Sequence, residues 1–123
     1  MQAKQGITAL ALIAAAATVV PATAQNYPSK PIRIIVPQVP GGPADIRVRQ
    51  IAQKLTESFG RPVIVENRPG GGSTIATRLA AKADPDGYTL FNCGNGNALN
   101  DVFDPDSSVD LIRNFAPITR LNS

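Results

Sequence analysis

The chain has 123 residues, 43% hydrophobic but only 5% aromatic, with 12 basic and 9 acidic side chains, a net charge of +3 and no histidine. Without histidine there is no Ser–His or Cys–His nucleophile pair and no histidine metal site, and the carboxylates show no H-E-x-x-H or EF-hand spacing. The basic residues are scattered, so neither the basic stripe nor the stacking platform that nucleic acid requires is present.

Met1 to Gly6 carries Lys4, Ile7 to Val20 is an alanine-rich apolar run, and Ala22-Thr23-Ala24 is an A-x-A cleavage site. This is the pattern of a secretory signal peptide over residues 1–24, cleaved after Ala24, and it predicts export to the periplasm. The apolar run is short of the ~20 residues that span a bilayer. The single cysteine, Cys93, excludes an internal disulfide and is expected as a small core residue at a strand end.

From Gln25 onward the order is β-α-β-α-β. Pro28 and Pro31 keep the lead-in extended. Ile32, Ile34, Ile35 and Val36 predict a buried strand that breaks at Pro37 and Pro40. Pro43 suits a first helical position, and Val48, Ile51, Ala52, Leu55 and Phe59 share one face of a helix over Pro43 to Phe59, stopped by Gly60. Pro62 to Glu66 reads as a second strand, broken by Asn67-Arg68-Pro69-Gly70-Gly71-Gly72. Ser73 or Thr74 is placed to cap a second helix running to about Lys82, with Ile75, Ala76, Leu79, Ala80 and Ala83 as its apolar face. Asp84 to Gly87 is a turn and Tyr88 to Phe91 a third strand, followed by a polar glycine loop, Asn92 to Asn97. Asp101 to Asp110 reads as an acidic loop, and Phe115 to Thr119 as the start of a fourth strand.

Strands alternating with helices imply an α/β fold with a parallel sheet, and right-handed crossovers place the three glycine-rich loops along one edge. Ligands of open parallel sheets lie off the carboxyl ends of the strands. Gly41-Gly42 leads from a strand into a helix start, where open backbone N–H groups and the helix dipole suit a carboxylate or phosphate. Asp45, in the first helical turn, either complements the dipole or accepts a hydrogen bond from a ligand. Asn95, Asn97 and Asn100 are turn residues or donors to a ligand oxygen. Gly70 to Thr74 lacks the GK[ST] of a phosphate loop, and no dinucleotide fingerprint follows the first strand.

Five ordered segments carry a resemblance: YPSKPIRIIVP followed by PGGPAD (Tyr27 to Asp45), VIVENRPGGG (Val63 to Gly72), DPDGYTL (Asp84 to Leu90), NALN (Asn97 to Asn100) and IRNFAPIT (Ile112 to Thr119). Together they resemble the Bug family, the periplasmic substrate-binding receptors related to tripartite tricarboxylate transporters. The resemblance implies a type II periplasmic-binding fold of two lobes, a non-enzymatic monomer that closes on a small organic carboxylate without a cofactor. It also implies the membrane components of a tripartite transporter as partners, or a sensing role. Carried over by position, Gly41, Gly42, Pro43, Ala44 and Asp45 would hold one carboxylate through backbone groups and water. Asn67, Gly70, Gly71 and Gly72 in the second loop, with Asn95, Gly96 and Asn97 in the third, would line the same cleft. Asn95 to Asn97 stand where relatives often carry small hydroxyl residues. Gln38 and Val39 replace the commoner aromatic or small residues before PGG.

Family members are roughly two domains long, so residues 25–123 are expected to be a partial N-terminal lobe with the second lobe absent. A sheet cut short would expose an edge and an apolar face, favouring marginal stability or aggregation. Two other readings are a truncated product of the same family that does not bind, and a lobe of an exported enzyme for phosphorylated or nucleotide substrates.

Overall fold

The computed structural model describes residues 26–103 and 109–121, so the leader and residues 104–108 of the acidic stretch lie outside the described residues. Strand β1 (Ile32–Val36) is the middle of a three-stranded parallel sheet of order β2-β1-β3, flanked by β2 (Val63–Asn67) and β3 (Thr89–Phe91). Ile34 of β1 aligns with Val65 on one side and Leu90 on the other. A central strand has no solvent face, which is why IRIIV reads as a continuous apolar run: Ile32, Ile34, Ile35 and Val36 are all buried.

Side chains alternate across the sheet, so β1 divides its residues between two helices. Helix α1 (Pro43–Phe59) lays Val48 and Ala52 against Ile34 and Val36, with Val63, Val65 and Leu90 packed around them. Helix α2 (Thr74–Ala81) lays Ala76 and Ala80 on Ile35 from the opposite face, with Leu79, Phe91 and Phe115 beside them. The α/β parallel arrangement and the bounds of α1 are as expected. Gly60 closes α1 at φ 62°, in the left-handed region, its N–H donating to the Thr56 carbonyl.

Several expectations are corrected. Ser73 stands at the N-cap of α2 but in a left-handed conformation (φ 79°) and makes no side-chain cap bond. Ile75 is half exposed instead of joining the apolar face of α2. It lies along the preceding loop, where a Cβ on Gly70 would come within 3.0 Å of its Cδ1. The third glycine loop is short, because helix α3 (Asn95–Phe103) begins inside it and takes in the first residues of the expected acidic loop. Cys93 is exposed, so it is not a core residue. Phe115 to Thr119 forms no strand; Phe115 stacks on Phe91 at 5.3 Å between ring centroids. Ahead of it lies one helical turn, α4 (Leu111–Asn114), capped by Asp110, whose carboxylate accepts from the backbone N–H groups of Ile112 and Arg113.

The lead-in and the Asp84 to Gly87 turn meet at the amino end of the strands. Tyr27 donates its hydroxyl to the Gly87 carbonyl at 2.7 Å, and the Ser29 N–H donates to the Tyr88 hydroxyl at 2.8 Å. Lys30 pairs with Asp86 at 2.8 Å and lies 4.4 Å from the centroid of the Tyr88 ring.

Candidate functional site

At the carboxyl end of the sheet the chain leaves β1, β2 and β3 in three turns tied to one another. The Arg68 N–H donates to the Val36 carbonyl and the Asn92 N–H to the Ile35 carbonyl, so the exits from β2 and β3 are held on the end of β1. The first turn enters α1 at Gly42, which is extended (φ −74°) and offers no side chain to cap the helix. Pro43 follows at the first helical position, and the Ile46 N–H is the one that closes the first turn, on the Gly42 carbonyl. The amides of Ala44 and Asp45 therefore lack an intrahelical partner and point out of the positive end of a 17-residue helix. Gly41 has φ 81°, a conformation that side chains rarely adopt, and this reversal aims its N–H back toward α1.

Asp45 lies under this turn with 2% of its surface exposed. Its Oδ2 accepts from the Gly41 N–H at 2.8 Å and from Arg49 Nε at 2.9 Å, and its Oδ1 accepts from Asn67 Nδ2 at 2.8 Å. Arg49 also donates through Nη2 to Asn67 Oδ1 at 2.9 Å, and Asn67 Nδ2 donates to the Gln38 carbonyl at 3.1 Å. Three side chains from α1 and the end of β2 thus fix the shape of the first turn. The Arg49 bond, then the Gly41 and Asn67 bonds, hold the Asp45 carboxyl at about pKa 2, below its ordinary 3.8, against the opposing effect of burial. The same contact raises Arg49.

Gly70, Gly71 and Gly72 are exposed in the second turn, all with positive φ, and run into a 3₁₀ turn over Gly71–Ser73. Asn95 and Gly96 are exposed at the start of α3, which packs beside that 3₁₀ turn. Asn97 is different: it is 4% exposed and engaged at both ends of its carboxamide. Its Oδ1 accepts from the Gly94 N–H at 3.0 Å, reaching back to the start of its own helix. Its Nδ2 donates to the Thr77 hydroxyl at 2.8 Å, and that hydroxyl donates to the Ser73 carbonyl at 2.9 Å.

The structure therefore brings Gly41 to Asp45 together with Asn67, and Gly70 to Gly72 near Asn95 to Asn97. It presents the glycines, Pro43, Ala44 and Asn95, and it buries Asp45 and Asn97 beneath them. Arg49 and Thr77 were missed as members of this arrangement. Arg49 stands four residues after Asp45, the spacing at which an acid and a base meet on a helix, so its signal was present. Among the described residues no group of three or more cysteine or carboxylate side chains is placed to hold a metal ion.

Residues 47–123 match the family described as the tripartite tricarboxylate transporter family receptor. Protein BugT of Bordetella pertussis is 47% identical over 79 residues, covering 64% of this chain and 24% of BugT. A UPF0065 protein of the same organism is 40% identical over 115 residues, 91% of this chain and 35% of that protein. Among solved structures, the periplasmic binding protein BugD is 42% identical with a TM-score of 0.50. MatC from Rhodopseudomonas palustris, solved with bound malate, is 37% identical with a TM-score of 0.51, and an R. palustris protein solved with adipate is 35% identical with a TM-score of 0.52. Each of these three covers 53% of this chain and 22% of its own. The chain thus spans between 24% and 35% of the length of the two Bordetella relatives. On the match over residues 47–123, this chain belongs to the tripartite tricarboxylate transporter receptor family.

Proposed function

We propose that this chain contributes the anion-holding edge of an exported receptor for a small organic carboxylate. The observation that carries the reading is the first turn, where Gly41 and Gly42 bring open amides of α1 to the carboxyl end of the sheet with no side chain in the way. A carboxylate there gains charge-assisted hydrogen bonds and the favourable end of the helix dipole. Malate and adipate, the ligands of two structural relatives, are both dicarboxylates, and this supports the same solute class here. Gly70 to Gly72 and Asn95 would face the rest of the solute. Asp45 and Asn67 would act from below, by holding the turn in shape. The apolar leader ending at Ala24 would deliver the chain to the periplasm, where the membrane components of a tripartite transporter are the fitting partners.

The test is calorimetric titration of the full gene product with a panel of mono-, di- and tricarboxylates, inorganic phosphate and a nucleotide. Saturable binding of a carboxylate, with phosphate and nucleotide weaker, is the expected result. Gly41→Val forces a β-branched residue to a φ of 81° and costs ~1–2 kcal/mol of backbone strain. It is expected to weaken carboxylate binding about tenfold. Phosphate or nucleotide binding tighter than every carboxylate would contradict the reading, as would binding unchanged by Gly41→Val.

A further inference from the structure

Gln38 sits where the three turns converge. Its backbone carbonyl accepts from Asn67, which ties it to the exit of β2. Its side chain lies over the third turn, with Nε2 3.6 Å from where a Cβ on Gly94 would stand. The residue as a whole is half-buried, yet its Oε1 is buried and has no hydrogen-bond partner. It is the single side-chain oxygen or nitrogen in this state among the described residues.

A buried amide oxygen without a donor forfeits its hydration and gains nothing in return, so such atoms are few in folded proteins. The neighbouring polar groups do not relieve it. Asn67 spends Nδ2 on Asp45 and on the Gln38 backbone, and Arg49 is committed to Asp45 and Asn67. Asn97 is committed to Gly94 and Thr77. A carboxylate brought to the turn has only acceptors and leaves Oε1 as it was. A hydroxyl supplies the missing donor, and its oxygen can also accept from the Nε2 end of the same carboxamide. The Gln38 side chain has three rotatable bonds and its Nε2 lies beside Gly94, which has no side chain, so it can turn toward a solute held by the neighbouring amides.

We infer that Gln38 is a specificity-determining residue that selects carboxylates bearing a hydroxyl over their deoxy counterparts. The inference rests on the carboxylate reading of the site and adds to it the substituent the solute carries. A site with a polar group awaiting a hydroxyl discriminates against the analogue that lacks it, because that group then stays unpaired.

The experiment uses pairs of probes that differ by one hydroxyl: succinate with L-malate, glutarate with 2-hydroxyglutarate, and adipate with 2-hydroxyadipate. Each is titrated into the full gene product and into its Gln38→Met and Gln38→Asn variants, with thermal melts to confirm that the variants fold. For the chain lengths that bind, the hydroxylated member is expected to bind about tenfold tighter, equivalent to about 1.4 kcal/mol. Gln38→Met is expected to abolish that difference, so that the two members of each pair bind with equal Kd whatever the change in overall affinity. Gln38→Asn, which keeps the carboxamide on a shorter stem, is expected to retain part of the preference. Equal affinity within each pair for the unmodified protein, or a preference that survives Gln38→Met, overturns the role of Gln38 while leaving the carboxylate reading standing. Absence of binding to every carboxylate overturns both.

Discussion

Asp45 and Arg49 stand one helical turn apart, and Asn67 bridges them from the end of β2. This small network explains why an aspartate two residues after a proline can be buried in the ionised form: three donors replace its hydration. The consequence is a pH dependence with a definite sign. The folded-state carboxyl, at about 2, lies below its ordinary 3.8, so its contribution is fully present above 3.8 and is lost as pH falls toward 2. Asp45→Asn keeps the shape but removes the charge. Chemical denaturation of the unmodified chain and of Asp45→Asn is expected to give midpoints that diverge above pH 4 and converge as pH approaches 2. A gap between the two that does not change with pH would show that the carboxylate charge contributes nothing.

At the scale of elements, α1 was legible because every local signal agreed: Pro43 at the start, an apolar face at helical spacing, and Gly60 at the stop. The β1–α1 turn was legible for the same reason, since a glycine pair between a strand and a helix has few other uses. α3 was not. Its opening residues, Asn95-Gly96-Asn97, are poor helix formers, and composition alone makes them a loop. The helix is instead tied down by long-range bonds from Asn97 to Thr77 and, through it, to the start of α2. Thr77 sits in the middle of a helix next to the apolar face, and its inward position shows only once a partner is placed beside it. Phe115 to Thr119 looked like a strand because it is apolar, but its aromatic ring is used to cover the flank of β3 and no ladder forms. Replacing Asn97 with Ala leaves the Thr77 hydroxyl and the Gly94 N–H without this partner. A loss of roughly 1–3 kcal/mol of stability is expected, measured by urea denaturation. Asn97→Ala with an unchanged midpoint would mean that α3 is held by packing alone.

For the whole molecule, the two sheet faces are covered unequally. α1 covers its face from β2 to β3, whereas α2 leaves Ile64 of the edge strand β2 54% exposed, with Ile75 exposed to the same degree. Ile112 and Ile118 add 88% and 75% exposure near the end of the chain. Apolar side chains on an open sheet edge favour association. Sedimentation of residues 25–123 is expected to show mass increasing with concentration, and Ile64→Lys is expected to reduce it. A monomer at every concentration with a single sharp melt would contradict this.

The contacts of Tyr27, Ser29 and Lys30 with Asp86 to Tyr88 fasten the segment ahead of β1 at the amino end of the strands, and the three turns all leave from the other end. The two ends of the sheet therefore do separate jobs. One ties the segment ahead of β1 to the turn ahead of β3, and the other carries the three turns that follow the strands. A label on the exposed Lys30 would sit at the end of the sheet away from Gly41 and Gly70, and would report on the fold without touching those turns.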